Sequence, residues 1–191
     1  FLPLETGFHN LAIISSKQRF PRQARKTALG LLGAGQMMFL KVIIVVDEEH
    51  QVKDLEKLLD ALHSKVNIPE DLVTLKGMVA DSLAHTSPWE NVHDKLIIDA
   101  TTPPEGDPID RPMERSVGES LAISASAIEG VVQARMMRPS MMVVTTEVEG
   151  SPSPEESVEE TDNHLARLQR EKISAIRDSI WSLGSASDLK W

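Results

Sequence analysis

Residues 7–47 read GFHNLAIISSKQRFPRQARKTALGLLGAGQMMFLKVIIVVD, and the spacing of apolar and basic residues in this stretch decides the fold. Phe8 to Ile14 predicts a strand. Pro21 suits the first turn of a helix, where a missing N–H costs nothing. Along that helix Ala24, Ala28, Leu31 and Leu32 fall on one side, and Arg22, Arg25 and Lys26 on the other, the pattern of a helix packed by one face. Val42 to Val46 is an uninterrupted β-branched run, which fits a strand covered on both faces.

The same stretch admits a second reading. From Ala28 to Val46 only Gln36 and Lys41 interrupt the apolar run, which approaches the length of a membrane-spanning helix. Lys41 would then sit in hydrocarbon at a cost of about 2.5 to 3.5 kcal/mol. Gly30, Gly33 and Gly35 punctuate the run and weaken a continuous helix. A helix ending at the glycines, a turn and a buried strand fit better, so no integral membrane span is expected.

Outward from this unit, Gln51 to Lys65 predicts an amphipathic helix with Val52, Leu55, Leu59 and Leu62 at helical spacing. Pro69 is expected to break it. Leu72 to Leu75 and Lys95 to Ile98 read as short strands. The order β-α-β-α-β-β predicts an α/β fold: a layered mixed sheet with flanking helices. After Thr101, TTPPEGDPIDRP reads as a loop, Gly118 to Met137 fits helix or strand equally, and Met141 to Thr146 fits a strand. Whether residues 106–146 complete the first sheet or form a separate layer stays open.

Glu147, Glu149, Glu155, Glu156, Glu159, Glu160 and Asp162 carry most of the formal net charge of −9, with no Lys or Arg among them. Such a run has too little apolar surface to offset its ordering entropy. It predicts a linker over 147–162 between an α/β domain, 1–146, and a C-terminal amphipathic helix and tail, 163–191. In that helix Leu165, Leu168, Ile173, Ile176, Ile180 and Leu183 form one stripe. The stripe has to be buried, on its own domain or on a neighbour. Cysteine is absent, which excludes disulfides and thiolate metal sites. Phe1 rather than Met opens the sequence, from which a piece of a longer chain is expected, and no signal peptide is visible.

Several chemistries are disfavoured by spacing. Asp47 ends the second strand much as a ribose-binding acid would, but Gly33-Ala34-Gly35 follows the helix instead of preceding it. A dinucleotide site needs its glycines between strand and helix, so that the pyrophosphate meets the helix N-terminus. Lys17, Arg19, Arg22, Arg25 and Lys26 form a basic cluster that suits an anion, or a solvated face paired with acids of a neighbouring domain. With no Tyr and an acidic total, nucleic-acid stacking is not expected. His9, His50, His63, His85, His93 and His164 make no metal-ligand pair at i, i+4. His85 and His93 flank Ser87-Pro88-Trp89, a loop that suits either a small site or ordinary surface histidines. Gly118-Glu119-Ser120 is not a nucleophile elbow.

Taken in order, Phe8-His9-Asn10 and the strand after it, Lys17, Pro21, Ala24, Arg25, Gly35-Gln36-Met37, Lys41, the VIIVVDEE run, Ser87-Pro88 and Ile98-Asp99-Ala100-Thr101 resemble the C-terminal domain of the UbiD-type decarboxylases. The likeness covers about residues 1–105. It implies a carboxy-lyase acting on an aromatic or unsaturated acid, of the 4-hydroxybenzoate type in quinone biosynthesis. It also implies prenylated FMN with a divalent metal (Mn) and K, held by an N-terminal flavin domain that carries a Glu-Arg-Glu constellation. Nothing in this sequence matches that constellation, so the resemblance carries no catalytic, cofactor-binding or metal residue onto this chain. Three positions align with the family's substrate wall: Leu4, Ser64 and Leu83. The plain alternatives are core for the two leucines and a helix-end polar residue for Ser64. The resemblance further implies partnership with the chain's own flavin domain, a homo-oligomer of dimers or of dimers of dimers, a small aromatic acid as substrate, and a cytoplasmic enzyme with membrane association left open. The rival reading is a non-catalytic protein-interaction module.

Overall fold

A computed structural model describes residues 1–7, 9–83, 89–107, 119–138, 141–147, 171–180 and 182–183. The chain divides into two compact units, Phe1–Met113 and Glu114–Trp191.

The first unit is a four-stranded mixed sheet of order β1-β2-β4-β3, built from β1 (Leu11–Ser16), β2 (Val42–Asp47), β3 (Leu72–Val79) and β4 (Val92–Ala100). β1 and β4 flank β2 in parallel, with Leu11 opposite Val42 and Val42 opposite Leu96. β3 closes one edge antiparallel to β4, with an irregularity between Leu75 and Met78, where Gly77 takes a positive φ of 61°. The VIIVV run is central, and alternation sends its side chains to both faces. Ile43 and Val45 pack with Ala12, Ala24, Ala28, Leu40 and Ile97 under α1 (Gln23–Leu32). Ile44 and Val46 pack with Ile13, Leu58, Ala61 and Ala100 under α2 (Leu55–Lys65). The Ala28–Val46 stretch is therefore a helix end, a 3-10 turn over Gly35–Phe39 and a strand. No helix among the described residues is long and apolar enough to cross a membrane.

Two helix starts differ from expectation. Arg22 precedes α1 in the left-handed region at φ 64°, so Pro21 lies in the turn before the helix and not in its first turn. α2 begins at Leu55, because Asp54 is its N-cap and accepts from Lys57 N at 3.1 Å. The buried stripe also differs by one position from the expected one. Leu58 and Ala61 are buried, Val52 and Leu62 flank them, and Leu55 is exposed. Asp54→Ala removes an acceptor for an otherwise orphan helical N–H. Its thermal midpoint is expected below that of the parent, with Asp54→Ser restoring most of the loss; equal midpoints for all three proteins would contradict the cap. Pro69 lies within a separate short helix, α3 (Ile68–Asp71), after α2 has ended at Val66 in extended conformation.

The second unit contains α4 (Glu119–Ser126), β5 (Val131–Arg138) and β6 (Met141–Thr146), and a further helix, α5, at 171–180. From Glu119 on, the ambiguous stretch is helix and then strand. Among the described residues β5 and β6 pair with each other alone, antiparallel. The boundary between the units thus falls before Glu114, not at 146, and among the described residues those of 119–146 add no strand to the four-stranded sheet. Ile176 and Ile180 of α5 are buried with Ala125 against Val131, Ala134, Met142 and Val144. That part of the C-terminal stripe is covered by its own unit. Leu165, Leu168 and the acidic run from 148 lie outside the described residues.

Candidate functional site

Side chains capable of chemistry collect at the two ends of the four-stranded sheet. At the amino end of the parallel strands, His9 precedes β1, Lys41 precedes β2, and the antiparallel β3 ends at Val79, so that Asp81 just beyond it reaches His9. His9 is 4% exposed and its Nδ1 donates to Asp81 Oδ2 at 3.1 Å. Its ring rests on Phe39 with centroids 5.6 Å apart, and its carbonyl accepts from Lys41 N at 3.1 Å. The other Asp81 oxygen, Oδ1, accepts from Leu83 N at 3.0 Å. The Leu83 amide, then the His9 ring and the charge of Lys41, hold the Asp81 carboxyl below its ordinary range.

Lys95 of β4 is fully buried nearby, where Nζ donates to Leu40 O at 2.8 Å. Burial first, then the neighbouring Lys41 charge, lowers its pKa. Lys41 is lowered too, by burial, with Asp81 acting in the opposite direction. This end is thus a packed polar corner that orders backbone. His93 points its Nδ1 at Asp94 O at 2.7 Å, and burial lowers its pKa. His85, Ser87 and Pro88 lie outside the described residues, while Trp89 is exposed.

At the carboxyl end Asp47 is tied down. It accepts from Lys65 Nζ, from Thr102 N at 2.9 Å and 3.1 Å, and from Thr102 Oγ1 at 2.8 Å. A ribose-binding acid needs open acceptor sites, and these are spent on fastening β2 to α2 and to the loop after β4. Asp99 repeats the device by accepting from Thr101 N and Oγ1 at 3.1 Å and 2.6 Å.

The basic cluster pairs within its own unit. Lys17 meets Glu48 at 2.8 Å, Arg22 reaches Asp71 and Asp107 at 3.6 Å each, Arg25 donates to Glu70 O, and Lys26 lies over the Phe20 ring at 5.5 Å. Four of the five cations thus meet partners within the unit, where the sequence suggested an anion or a neighbouring domain's acids. Among the described residues no group of three or more His, Asp or Glu could hold a metal ion.

Of the three wall positions, Leu4 lies in a 3-10 turn (Leu4–Thr6) and is 72% exposed. Leu83 follows β3 and is 76% exposed. The His9–Asp81 contact brings their two segments to one end of the sheet. Neither leucine is core. Ser64 is on α2, exposed, with Oγ donating to Asp60 O at 2.6 Å, and the adjacent Lys65 bonds the carboxyl end of β2. Sequence reasoning missed the Asp81 carboxylate, which ties the FHN segment to the segment of Leu83 across 72 residues; its signal was the DS pair before Leu83, whose role only the sheet topology reveals.

A family model described as the 3-octaprenyl-4-hydroxybenzoate carboxy-lyase C-terminal domain matches residues 1–100. An uncharacterized protein of Archaeoglobus fulgidus is 40% identical over 100 residues, covering 52% of this chain and 21% of that protein. A phenolic acid decarboxylase of Escherichia coli O157:H7 is 42% identical over 94 residues, covering 49% of this chain and 20% of that protein. Among solved structures, the vanillic acid decarboxylase of Sedimentibacter hydroxybenzoicus in open form matches with a TM-score of 0.51 at 32% identity, over 55% of this chain and 22% of that one. The chain thus spans about a fifth of the length of the curated relatives it matches.

Proposed function

The chain belongs to the UbiD-type decarboxylase family, as its 3-octaprenyl-4-hydroxybenzoate carboxy-lyase C-terminal domain, and on that premise we propose that it works as the substrate-closing part of a carboxy-lyase acting on a small aromatic acid. The observation that carries this reading is the match over residues 1–100, joined to the likeness to a vanillic acid decarboxylase. The finer assignment is a 4-hydroxybenzoate-type acid, in quinone biosynthesis. The reaction would take place on a flavin domain that holds prenylated FMN with Mn and K, in a cytoplasmic enzyme assembled from dimers.

Prenylated FMN supplies the electron sink for the bond that releases CO2. The described residues of this chain offer no metal-ligand group, so no step is assigned here to the flavin or its metal. This chain's share is binding and orientation. Leu4 and Leu83 present apolar surface to solvent, as a wall does before its facing surface arrives. Ser64, on α2 beside the Lys65 that bonds the carboxyl end of β2, stands at the other end of the sheet from the two leucines, and any contact it makes with substrate would be separate from theirs. Holding an aromatic ring in one pose lowers the entropy cost of reaction.

The test joins residues 1–191 to the flavin-binding region of a relative such as the Sedimentibacter enzyme and measures CO2 release from 4-hydroxybenzoate and vanillate, beside the chain alone. The fused enzyme is expected to release CO2 and the chain alone neither to bind prenylated FMN nor to release CO2. A flavin-loaded fusion inactive on every aromatic acid tried, or flavin binding by the chain alone, would overturn the reading.

A further inference from the structure

We propose that Asp81 is a positioning residue: fixed by His9, its carboxylate holds the turn at 81–83 and thereby sets where Leu83 stands in the substrate wall. The inference rests on the carboxy-lyase reading and on Leu83 as a wall residue, and deepens both.

Three observations converge on it. The two oxygens of Asp81 have separate duties: Oδ1 accepts from Leu83 N at 3.0 Å and Oδ2 from His9 Nδ1 at 3.1 Å. A carboxylate held at both oxygens is fixed in orientation, which one contact would not achieve. His9 is itself immobilised. It is buried against Phe39, its carbonyl is bonded by Lys41 N, and its backbone sits at φ 61°. That left-handed conformation is uncommon outside glycine, and here the bond from Lys41 N and the packing on Phe39 hold it. Finally, Leu83 makes its wall surface with a side chain 76% exposed, so core packing does not place it. Its position has to come from the backbone, and the Asp81 bond to its N–H is what the structure provides.

A role confined to fold stability would lower the melting temperature of Asp81 variants and leave substrate binding by the folded fraction unchanged. A positioning role acts through Leu83, and double-mutant coupling separates the two. In the flavin-loaded fusion, kcat and KM are measured for vanillate with Asp81→Ala, Leu83→Ala and the double variant. Asp81→Ala is expected to raise KM about tenfold, equivalent to about 1.4 kcal/mol, with a smaller change in kcat. Once Leu83 is alanine, adding Asp81→Ala should change KM little. Asp81→Asn keeps an acceptor for Leu83 N–H and should fall between; it also serves if the alanine variant does not fold. His9→Asn is the second arm, because Asn tolerates the left-handed backbone while its shorter side chain gives up the reach to Asp81. It should shift KM in the same direction. A KM within about twofold of the parent for Asp81→Ala, or for Asp81→Asn and His9→Asn where the alanine variant does not fold, or effects that multiply in the double variant, would overturn the proposal. If the unsubstituted fusion releases no CO2, the carboxy-lyase reading falls first and this inference with it. Activity in the parent with unresponsive variants removes this inference alone.

Discussion

Asp47→Ala is expected to destabilise the first unit by about 3 kcal/mol, the lower end of what breaking a buried ion pair costs. The lower end applies because Lys65 is a third exposed and can turn its freed ammonium to water. The remaining loss comes from Thr102, whose N–H and hydroxyl both donate to Asp47 and would lose their acceptor. Asp47→Asn should cost less, since it keeps one acceptor oxygen. The effect should depend on pH. Burial by itself would raise the Asp47 carboxyl, but the bonds from Lys65 and Thr102 outweigh it and leave the pKa lowered. A depressed folded-state pKa means that folding favours the ionised form. The contribution is therefore complete above the unfolded-state value of about 3.9 and is lost as pH falls through the folded one. Asp54, Asp81 and Asp94 are lowered as well, so the informative quantity is the difference between parent and variant. Urea unfolding at neutral pH and at about pH 3 should show that difference shrinking in acid. A gap that stayed constant, or widened, would mean that the ionised Asp47 is not what fastens β2 to the loop at Thr102.

What the sequence disclosed and what it withheld follow from the range of the interactions. β2 was legible because a five-residue β-branched run has few alternatives, and its burial on both faces follows from alternation alone. The acidic end of that strand was legible as a residue, but not its task, because its partners Lys65 and Thr102 lie 18 and 55 residues away. α2 was legible as a helix. Its start was not, because Asp54 caps it at Leu55, and neither was its buried face, because packing on the sheet selects Leu58 and Ala61. Lys95 illustrates the limit of pattern reading. A lysine opening an apolar run looks like a strand end at the surface, yet β4 starts three residues earlier and carries its side chain beneath Leu40. Of the wall positions, the resemblance named Leu83, while only the coordinates reveal the His9–Asp81 contact that fixes its backbone.

Ile97→Ala should cost about 2 to 5 kcal/mol, and the reasons place it in the upper half of that range. Ile97 is fully buried on a strand flanked on both sides, opposite Ile43 of β2 and Val73 of β3. The cost of a deleted side chain depends on how far its neighbours can collapse into the space. Here the facing residues of α1 and β1 include Ala24, Ala28 and Ala12, whose single methyl groups cannot reach, and the strands are held in register by their ladders. A cavity persists where a core of long side chains would have refilled it. Ile123 of α4 supplies the contrast: at 73% exposure, its replacement by alanine should stay within about 0.5 kcal/mol of the parent. Denaturant unfolding of the three proteins should show the midpoint falling for Ile97→Ala alone, with an unchanged slope. If Ile97→Ala cost under about 1 kcal/mol, α1 would have to move onto the sheet.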